Sequence, residues 1–365
     1  MARIAYGVHG TGHGHAMRAL TVARHYPDHE FLLVTHGDGS AILGSEYRVV
    51  ECPNPVTPVR FHKVDISALL HQNFKVFLKK KTFIERAVTI IEDFQPDAVI
   101  SDYEFFLPRA CRILGVPCLS LDHQHVVTAC VHSVPWRQWY SYFSTYCAIK
   151  CLFSKCSDYI VTSFFRPPLR KNVKTRLVPP LLRESVIEVT PCSGEHVLAY
   201  HGYSTSKGFF DFLKTIKRHV IVYGSNTDGK DGNLEFKRNS EEGFLKDLAS
   251  CCYVVCSGGN SLISESLFYG KPLLAFPIQN AFEQFLNCHY VETLGYGKYF
   301  EKFDRAVGAV ESFEENLDNY RNNIGKGRFC GNDEIFSLID SFVADKKIFS
   351  YEENRESATE ETDQY

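Results

Sequence analysis

The chain has 365 residues, with 40 basic and 43 acidic side chains and a formal net charge of −3. This length suits two domains that each bury a core, and 44% hydrophobic with 23% charged residues is ordinary for a globular protein. The composition excludes fibrous, collagen-like and wholly disordered chains, and the near-neutral charge argues against a dedicated nucleic-acid-binding protein.

The first half of the chain alternates short apolar strands with helices. Strands are predicted at Arg3–Val8, Glu30–Thr35, Tyr47–Cys52, Ala98–Ser101 and Pro117–Leu121, and helices at Ala16–Tyr26, Lys75–Phe94 and Leu107–Leu114. Such alternation indicates parallel βαβ units and a doubly wound sheet.

The same pattern restarts near residue 195. Strands are predicted at His196–Tyr200, His219–Tyr223, Tyr253–Cys256 and Pro272–Phe276, with a helix at Lys207–Lys217 and another after Ser257. The α/β chain is therefore expected to form two Rossmann-like domains, 1–180 and 181–345, followed by an acidic, disordered tail at 346–365. Ligands bind at the carboxyl ends of parallel strands, which predicts a site in the cleft between two facing sheets.

The thirteen cysteines are scattered and form no Cys-x-x-Cys pair, so neither a zinc site nor a disulfide framework is expected. The amino terminus runs directly into a strand pattern without a secretory signal, and no run of 18 apolar residues occurs. These features predict free thiols in a reducing cytoplasm.

A glycine-rich turn follows the first strand. It contains Gly7, His9, Gly10, Gly12, His13, Gly14 and His15. A dinucleotide-binding Gly-x-Gly-x-x-Gly fingerprint that starts at Gly10 would need glycine where His15 stands, which weakens a dehydrogenase interpretation. A neutral imidazole at a helix amino terminus suits a general base near pH 7. The alternatives are histidines that cap the helix or face solvent, and a metal site is weaker still.

Two polar strand ends in the first half offer further candidates. Asp102 follows one strand and is placed to orient a histidine base. His123 and His125 follow the next strand, where they either contact an acceptor hydroxyl or order the loop of the first domain.

The segment 256–272 of the second half begins with a strand end and a glycine pair. Asn260 or Ser261 is expected to cap the helix that follows, and the free N–H groups of this helix form an anion site able to hold a diphosphate. Glu265 lies within the helix and is suited to accept two sugar hydroxyls, although a solvated helix acid is the alternative. The later segment 277–287 adds amides and a carboxylate after another strand.

Together these segments resemble glycosyltransferases of the GT-B fold. The likeness is greatest to the lipid-linked N-acetylglucosaminyltransferase family of peptidoglycan synthesis, glycosyltransferase family 28, and extends to nucleotide-sugar glucosyl- and glucuronosyltransferases. It covers about residues 1–345 and rests on GTGHGH, SGGNSLISES, GKP and PIQNAFEQFLN.

The resemblance assigns roles to individual positions. The family histidine of the glycine turn falls on His15, with His13 as its rival because this turn is one residue longer. Donor-binding positions implied by the resemblance are Gly12, Gly14, Gly202, Tyr203, Ser204, Thr205, Ser257, Gly258, Gly259, Asn260, Ser261, Glu265, Glu283, Gln284 and Asn287. The chain departs from the peptidoglycan enzyme at Glu283, where that enzyme has the first of two adjacent glutamines.

The resemblance implies transfer of a sugar from a nucleotide-activated donor, expected to be a UDP-sugar, to an acceptor hydroxyl that is lipid-linked or part of a glycan. It implies inversion by a histidine base, with no metal or other cofactor, since helix amides hold the diphosphate and the chain lacks an Asp-x-Asp motif. Two alternatives are a nucleotide-sugar 2-epimerase on the same fold and a membrane-associated scaffold without turnover.

Two basic–aromatic stretches suggest contact with an anionic membrane at its cytoplasmic face. Lysines 75 and 79–81 interleave with phenylalanines, and Trp136–Phe153 carries many rings with basic neighbours. Residues 1–194 also hold 22 basic and 16 acidic side chains, whereas the remainder is acidic. The alternative is a core helix with a solvated edge.

Overall fold

The computed structural model describes residues 1–200, 207–225 and 227–349, which form two α/β units. The first unit comprises Met1–Val56, Leu70–Leu181 and the chain from Gly331, and the second comprises Thr57–Leu69 and Leu182–Cys330. The predicted diphosphate loop of Gly202, Tyr203, Ser204 and Thr205 lies outside the described residues, as does the acidic chain from residue 350.

Sixteen strands are found in the described part of the chain. They are β1 (Arg3–Val8), β2 (Glu30–Thr35), β3 (Arg48–Glu51), β4 (Val59–Arg60), β5 (Lys63–Val64), β6 (Ala98–Asp102), β7 (Cys118–Asp122), β8 (Asp158–Thr162), β9 (Thr175–Val178), β10 (Val197–Tyr200), β11 (Val220–Tyr223), β12 (Gly229–Asp231), β13 (Leu234–Phe236), β14 (Tyr253–Ser257), β15 (Leu273–Phe276) and β16 (Gly297–Tyr299).

Each unit has one seven-stranded sheet. The first runs β3-β2-β1-β6-β7-β8-β9 with every pair parallel, and the second runs β12-β13-β11-β10-β14-β15-β16 with only β12 antiparallel. The strand order reverses at β1/β6 in the first sheet and at β10/β14 in the second. These are the switch points at which open α/β sheets bind ligands. The predicted doubly wound α/β class is confirmed.

Fifteen α-helices flank the sheets in the described residues. They are α1 (His13–His25), α2 (Asp38–Leu43), α3 (Ile66–Leu78), α4 (Lys80–Phe94), α5 (Leu107–Leu114), α6 (Val126–Ala129), α7 (Trp139–Ala148), α8 (Glu184–Ile187), α9 (Lys207–Leu213), α10 (Glu241–Ser250), α11 (Asn260–Phe268), α12 (Phe282–Thr293), α13 (Val310–Glu315), α14 (Leu317–Ile324) and α15 (Asn332–Asp345).

The central strands of the first sheet are buried on both faces. Along β1, Ile4 and Tyr6 enter one hydrophobic cluster, whereas Ala5 enters the cluster on the opposite face. This alternation follows from the two-residue period of a strand, and coverage of both faces by helices is the usual state of a parallel sheet.

Three predicted helices differ from the structure, and the simplest case is α9, which ends at Leu213 rather than at Lys217. Helix α1 begins at His13 rather than Ala16, because Gly12 (φ 84°) takes a left-handed conformation that glycine adopts easily and directs the chain into the helix. The single helix predicted at Lys75–Phe94 is two helices, α3 and α4, which meet at Lys79, where ψ is 15° and the helical conformation is interrupted.

The division into units also differs from one cut near residue 180. The hairpin β4–β5 joins the second unit, where the amide of Val64 donates to the carbonyl of Gln279 at 3.0 Å. Helix α15 joins the first unit because its apolar face is buried in that core through Ile335, Phe336 and Ile339.

All thirteen cysteines are free thiols, and eight of them are buried. No helix within the described ranges is long and apolar enough to cross a bilayer.

Candidate active site

The glycine turn and the end of strand β6 meet at the switch point of the first sheet. Val8 pairs in register with Asp102, so the turn that follows β1 begins beside this carboxylate. Gly10 passes so close to the carbonyl of His36 that a Cβ would overlap it, which explains one glycine of the turn. His15, in the first turn of α1, thereby reaches the carboxyl end of the sheet.

His15 and Asp102 form a close pair. The Nδ1 of His15 lies 2.7 Å from Oδ1 of Asp102, whose side chain is fully buried. Because an ionised carboxylate only accepts hydrogen bonds, the proton between the two groups belongs to Nδ1. In a neutral ring, Nε2 is then the nitrogen that accepts a hydrogen bond. The structure thus joins two residues that the sequence singled out separately.

Arg18 shares the same carboxylate. Its Nε donates to Oδ2 of Asp102 at 2.7 Å, and one terminal nitrogen donates to Oδ1 at 3.3 Å. Burial alone would lower the pKa of Arg18, but Asp102 raises it above its usual value, so the guanidinium remains charged. Arg18 therefore helps to fix the carboxylate, and one of its terminal nitrogens lies 3.5 Å from Nδ1 of His15.

Two rings lie beside that of His15: the ring of Tyr103 is stacked at a centroid distance of 6.3 Å, and that of His9 is closer. The His9 ring is 5.1 Å from that of His15 and 7% exposed, and its Nδ1 lies 3.1 Å from the Nδ2 of Asn54. Burial, followed by the charges of His15 and His36, lowers the pKa of His9 well below its usual value. His9 is therefore neutral at pH 7 and packs as a fixed neighbour of His15.

His13, the rival of His15, begins α1 and is exposed, and the carboxylate of Asp102 is bonded to His15 instead. Gly12 precedes α1 without a side-chain cap, and Gly14 lies within its first turn. The geometry therefore favours His15 over His13 as the residue that Asp102 orients.

The histidines predicted for the acceptor side are buried and bonded within the first unit. The Nδ1 of His123 lies 2.7 Å from the carbonyl of Thr162, and the Nδ1 of His125 lies 2.6 Å from Oδ2 of Asp122. Burial would raise the pKa of Asp122, but His125 and local hydrogen bonds lower it to about 2. These contacts favour the second interpretation, in which the histidines order the loop.

Helix α11 of the second unit begins without a side-chain cap. Its N-cap is Gly259, so neither Asn260 nor Ser261 caps it as predicted; both lie inside the first turn. The Oδ1 of Asn260 is buried without a hydrogen-bond partner among the described residues. First-turn N–H groups that lack a side-chain acceptor, together with the helix dipole, favour an anion at this end.

The strand end before α11 packs tightly against α12. A Cβ on Gly258 would overlap the backbone and side chain of Gln284, so glycine is required there. The Nδ2 of Asn287, which is fully buried, donates to the carbonyl of Gly258 and to Oε1 of Glu283, each at 2.8 Å. Asn287 therefore ties the segment that holds Glu283 to the strand end, and Ser257 closes β14 beside it.

Glu265 lies in the second turn of α11 and is paired with Arg183. Nε and one terminal nitrogen of Arg183 donate to Oε1 of Glu265 at 3.1 and 2.8 Å, while the other terminal nitrogen donates to Glu241 at 2.9 Å. Burial raises the pKa of Glu265, and Arg183 opposes that effect. Because both bonds go to Oε1, Oε2 is available to accept from sugar hydroxyls.

Sequence reasoning missed Arg18 and Arg183. Arg18 lies three residues after His15, so both face the same side of α1, and this spacing is a readable signal once α1 is known to start at His13. Arg183 follows Pro179 and Pro180, where the sequence gives no sign that it reaches Glu265, 82 residues later.

Glu104 is a buried carboxylate beside the site that the sequence analysis left without a role. It accepts hydrogen bonds from the amides of Phe106 and Leu107 at 2.8 and 2.6 Å at the start of α5. Burial raises its pKa to about 7, although these amides lower it in part. Within the described ranges, no group of three histidine, cysteine, aspartate or glutamate side chains is arranged to hold a metal ion.

A family model described as "Glycosyl transferase family 1" matches residues 2–318 of the chain. Among curated relatives, an uncharacterized glycosyltransferase of Methanosarcina mazei is 23% identical over 354 residues, covering 86% of this chain and 90% of the relative. The sequence resemblance to glycosyltransferases is thereby confirmed.

Solved structures share the fold at low sequence identity. MurG of Acinetobacter baumannii has a TM-score of 0.62 at 13% identity, with 93% of this chain and all of that chain covered. UGT71G1 of Medicago truncatula, solved with UDP-glucose, has a TM-score of 0.60 at 14% identity, with 95% of each chain covered. The predicted GT-B fold is confirmed.

Proposed function

This chain belongs to glycosyl transferase family 1 and is a glycosyltransferase; we propose that it moves a sugar from a UDP-sugar to an acceptor hydroxyl with inversion, using His15 as the base. The observation that carries the proposal is the 2.7 Å contact between Nδ1 of His15 and the fully buried Asp102. It is the arrangement that a general-base histidine needs.

Asp102 sets the state of the proposed base. Its carboxylate holds the proton on Nδ1, so Nε2 of His15 takes the proton of the acceptor hydroxyl as that oxygen becomes nucleophilic. The resulting imidazolium is stabilised by the negative charge 2.7 Å away. Arg18 fixes the orientation of that carboxylate.

Sugar transfer takes place in a single displacement at the anomeric carbon. The acceptor oxygen forms a bond to the anomeric carbon while the bond from this carbon to the phosphate oxygen breaks, and the electron pair leaves with the nucleoside diphosphate. Attack opposite the leaving group inverts the anomeric centre. The proton ends on Nε2 of His15.

Donor binding is assigned to the second unit. The uncapped N–H groups at the start of α11, at Gly259, Asn260 and Ser261, suit the diphosphate and the charge that develops on it. Oε2 of Glu265 suits the ribose hydroxyls, since Arg183 occupies only Oε1. These amides provide charge stabilisation by themselves, so the proposal requires no metal or other cofactor.

The acceptor is proposed to be lipid-linked, with the enzyme in the cytoplasm and in contact with an anionic membrane. Two surfaces of the first unit support this. The first, which we call the α3 surface, exposes Leu70, Phe74, Leu78, Lys75 and Lys79–Lys81. The second exposes Trp136, Arg137, Trp139, Tyr140 and Phe143. Exposed rings and aliphatic chains beside lysines are suited to anionic lipid.

His15→Gln tests the proposed base. With UDP-sugars as donors, we expect transfer to fall by about 10²–10⁴-fold while UDP binding, measured by calorimetry, stays within twofold. The matched control is His13→Gln, two residues earlier in the same turn, which should retain transfer. Transfer by His15→Gln at a rate near that of the unaltered enzyme would remove His15 from the mechanism. Epimer formation from nucleotide-sugar alone would instead identify a 2-epimerase.

A further inference from the structure

A groove of about 560 Å³ lies in the second unit, at the end of the sheet where β14 and β15 begin. This volume is within the usual range for small-molecule sites, about 300–1,000 Å³. The groove is lined in part by Cys192, Phe268, Lys271, Arg321, Arg328 and Phe329. The donor positions at Gly258 and Ser261 follow the other end of β14, so this groove is a separate feature of the unit.

The charged side chains that line the groove are all basic: Lys271, Arg321 and Arg328, with no aspartate or glutamate among the lining residues. Arg321 also pairs with Asp318 at 2.9 Å, but the Asp318 side chain is 91% exposed, and an exposed pair of this kind contributes little. The groove therefore presents an excess of positive charge.

Lys271 is the buried member of this set. It is 5% exposed, and its ammonium donates to the carbonyl of Cys192 at 2.6 Å, which uses one of its three donors. Burial lowers the pKa of Lys271, and within the described part of the chain it forms no salt bridge with a carboxylate. Burying an ammonium without a counter-ion costs desolvation free energy. A bound anion would offset this cost.

We propose that this groove binds a small anion, a phosphate or carboxylate group carried by a metabolite, at a site separate from that of the sugar donor. Lys271 and Arg321 contact the anionic group, and the ring of Phe329, which is 7% exposed, offers an apolar surface to the rest of the molecule. Leu267 and Phe268, at the carboxyl end of α11, line the groove, so the occupant contacts the same helix that carries Glu265.

Cys192 gives a local readout, because its exposed side chain lines the groove. The alkylation rate of Cys192 by neutral iodoacetamide is measured by mass spectrometry against rising inorganic phosphate or citrate. We expect saturable protection of Cys192 at millimolar anion, while Cys151, an exposed cysteine of the first unit, keeps its rate. Protection by phosphate alone or by citrate alone identifies the anionic group. No saturable protection by either anion overturns the proposal.

Variants separate the groove from the donor site. Lys271→Met and, should that variant fold poorly, Arg321→Met are each expected to weaken protection about tenfold or more, because a charge-assisted hydrogen bond is lost. Lys298→Met is the matched control, since Lys298 pairs with Glu292 outside the groove. Unchanged protection in both groove variants overturns the proposal, as does its loss in Glu265→Gln. Neither readout depends on sugar transfer, so failure of the proposed function remains distinguishable.

Discussion

Arg18 donates to the Oδ2 of Asp102 at 2.7 Å, so the carboxylate that orients His15 is bound at the same time by a charged guanidinium. The negative charge of Asp102 is therefore divided between two partners. A histidine paired with an unshared carboxylate would hold its added proton more firmly, which makes Arg18 a positioning residue with an electrostatic effect on the base.

Removing this guanidinium should change the pH dependence of transfer. In Arg18→Met, the carboxylate of Asp102 keeps His15 as a partner but loses the guanidinium. We therefore expect the acid limb of the kcat/KM profile to move to higher pH. Arg18→Lys is the control, because it keeps the charge but lacks the planar fork. The comparison is a pH–rate profile of the three proteins, with UDP affinity measured alongside. Superimposable profiles would contradict the electrostatic role of Arg18.

The carboxylate itself is expected to be required for turnover. Asp102→Asn offers an amide that can also present a donor to Nδ1, which favours the wrong tautomer of His15, and kcat should fall by about 10²–10⁴-fold. The substitution also leaves Arg18 buried without its anion, so the free energy of unfolding should fall by about 3–5 kcal/mol. Calorimetric UDP binding separates the two effects: retained binding with lost turnover supports the role in catalysis.

Glu265 should discriminate ribose from its deoxy analogues. Glu265→Gln is expected to weaken UDP binding about ten- to hundredfold, because hydrogen bonds to a charged acceptor are lost. Glu241→Gln is the matched control, since it removes the other Arg183 partner without touching Oε2 of Glu265. The variant should lose less affinity for 2′,3′-dideoxy-UDP than for UDP. An equal loss for both nucleotides would rule out the ribose contact.

Glu104 gives a prediction about stability and pH. Its pKa is about 7 in the folded protein, against 4.5 for an unperturbed glutamate, so the folded state binds the proton more tightly. Its contribution is fully favourable below about pH 4.5 and is lost as pH rises through 7, a change of about 3 kcal/mol. Between pH 4.5 and 7.5, Glu104→Gln should therefore lose less stability than the unaltered protein. Denaturation at the two pH values gives the free energy of unfolding of each protein. An equal change in that free energy for the variant and the unaltered protein would contradict this assignment.

Membrane contact makes a separate prediction. Replacing Lys79, Lys80 and Lys81 by glutamine should reduce binding to phosphatidylserine vesicles, and the binding that remains should depend less on salt. Replacing Lys214, Lys217 and Lys230 in the second unit removes the same charge as a control. Flotation measures both sets, and equal binding by both variants would show that the α3 surface does not meet lipid.

The sequence allowed the sheets to be predicted more fully than the contacts across them. Short, continuous apolar runs correctly indicated β1, β2, β6 and β7. A parallel strand that is buried on both faces is apolar along its whole length. Strands β8 and β9 were missed, and the hairpin β4–β5 could not be anticipated, since its place depends on a bond to Gln279 more than 200 residues later.

The candidate site shows the same limit. The turn and strand end that carry His15 and Asp102 were recognisable because polar residues at the carboxyl ends of parallel strands stand where open α/β sheets bind ligands. The 2.7 Å contact between them was one hypothesis among several until the register of Val8 with Asp102 was known. Partners such as Arg183 depend on tertiary geometry that local patterns do not encode.

Helix α15 has a consequence for how the chain acquires its structure during synthesis. Its side chains Ile335, Phe336, Ile339 and Phe342 complete the core around β1, and their burial contributes roughly 6–12 kcal/mol. Residues 1–181 leave the ribosome long before this helix does. Until α15 is synthesised, the part of the core that it covers stays exposed. The body of the second unit, Leu182–Cys330, emerges earlier than α15 and can assemble first. The second unit can therefore complete its core before the first unit does, although most of the first unit is synthesised earlier.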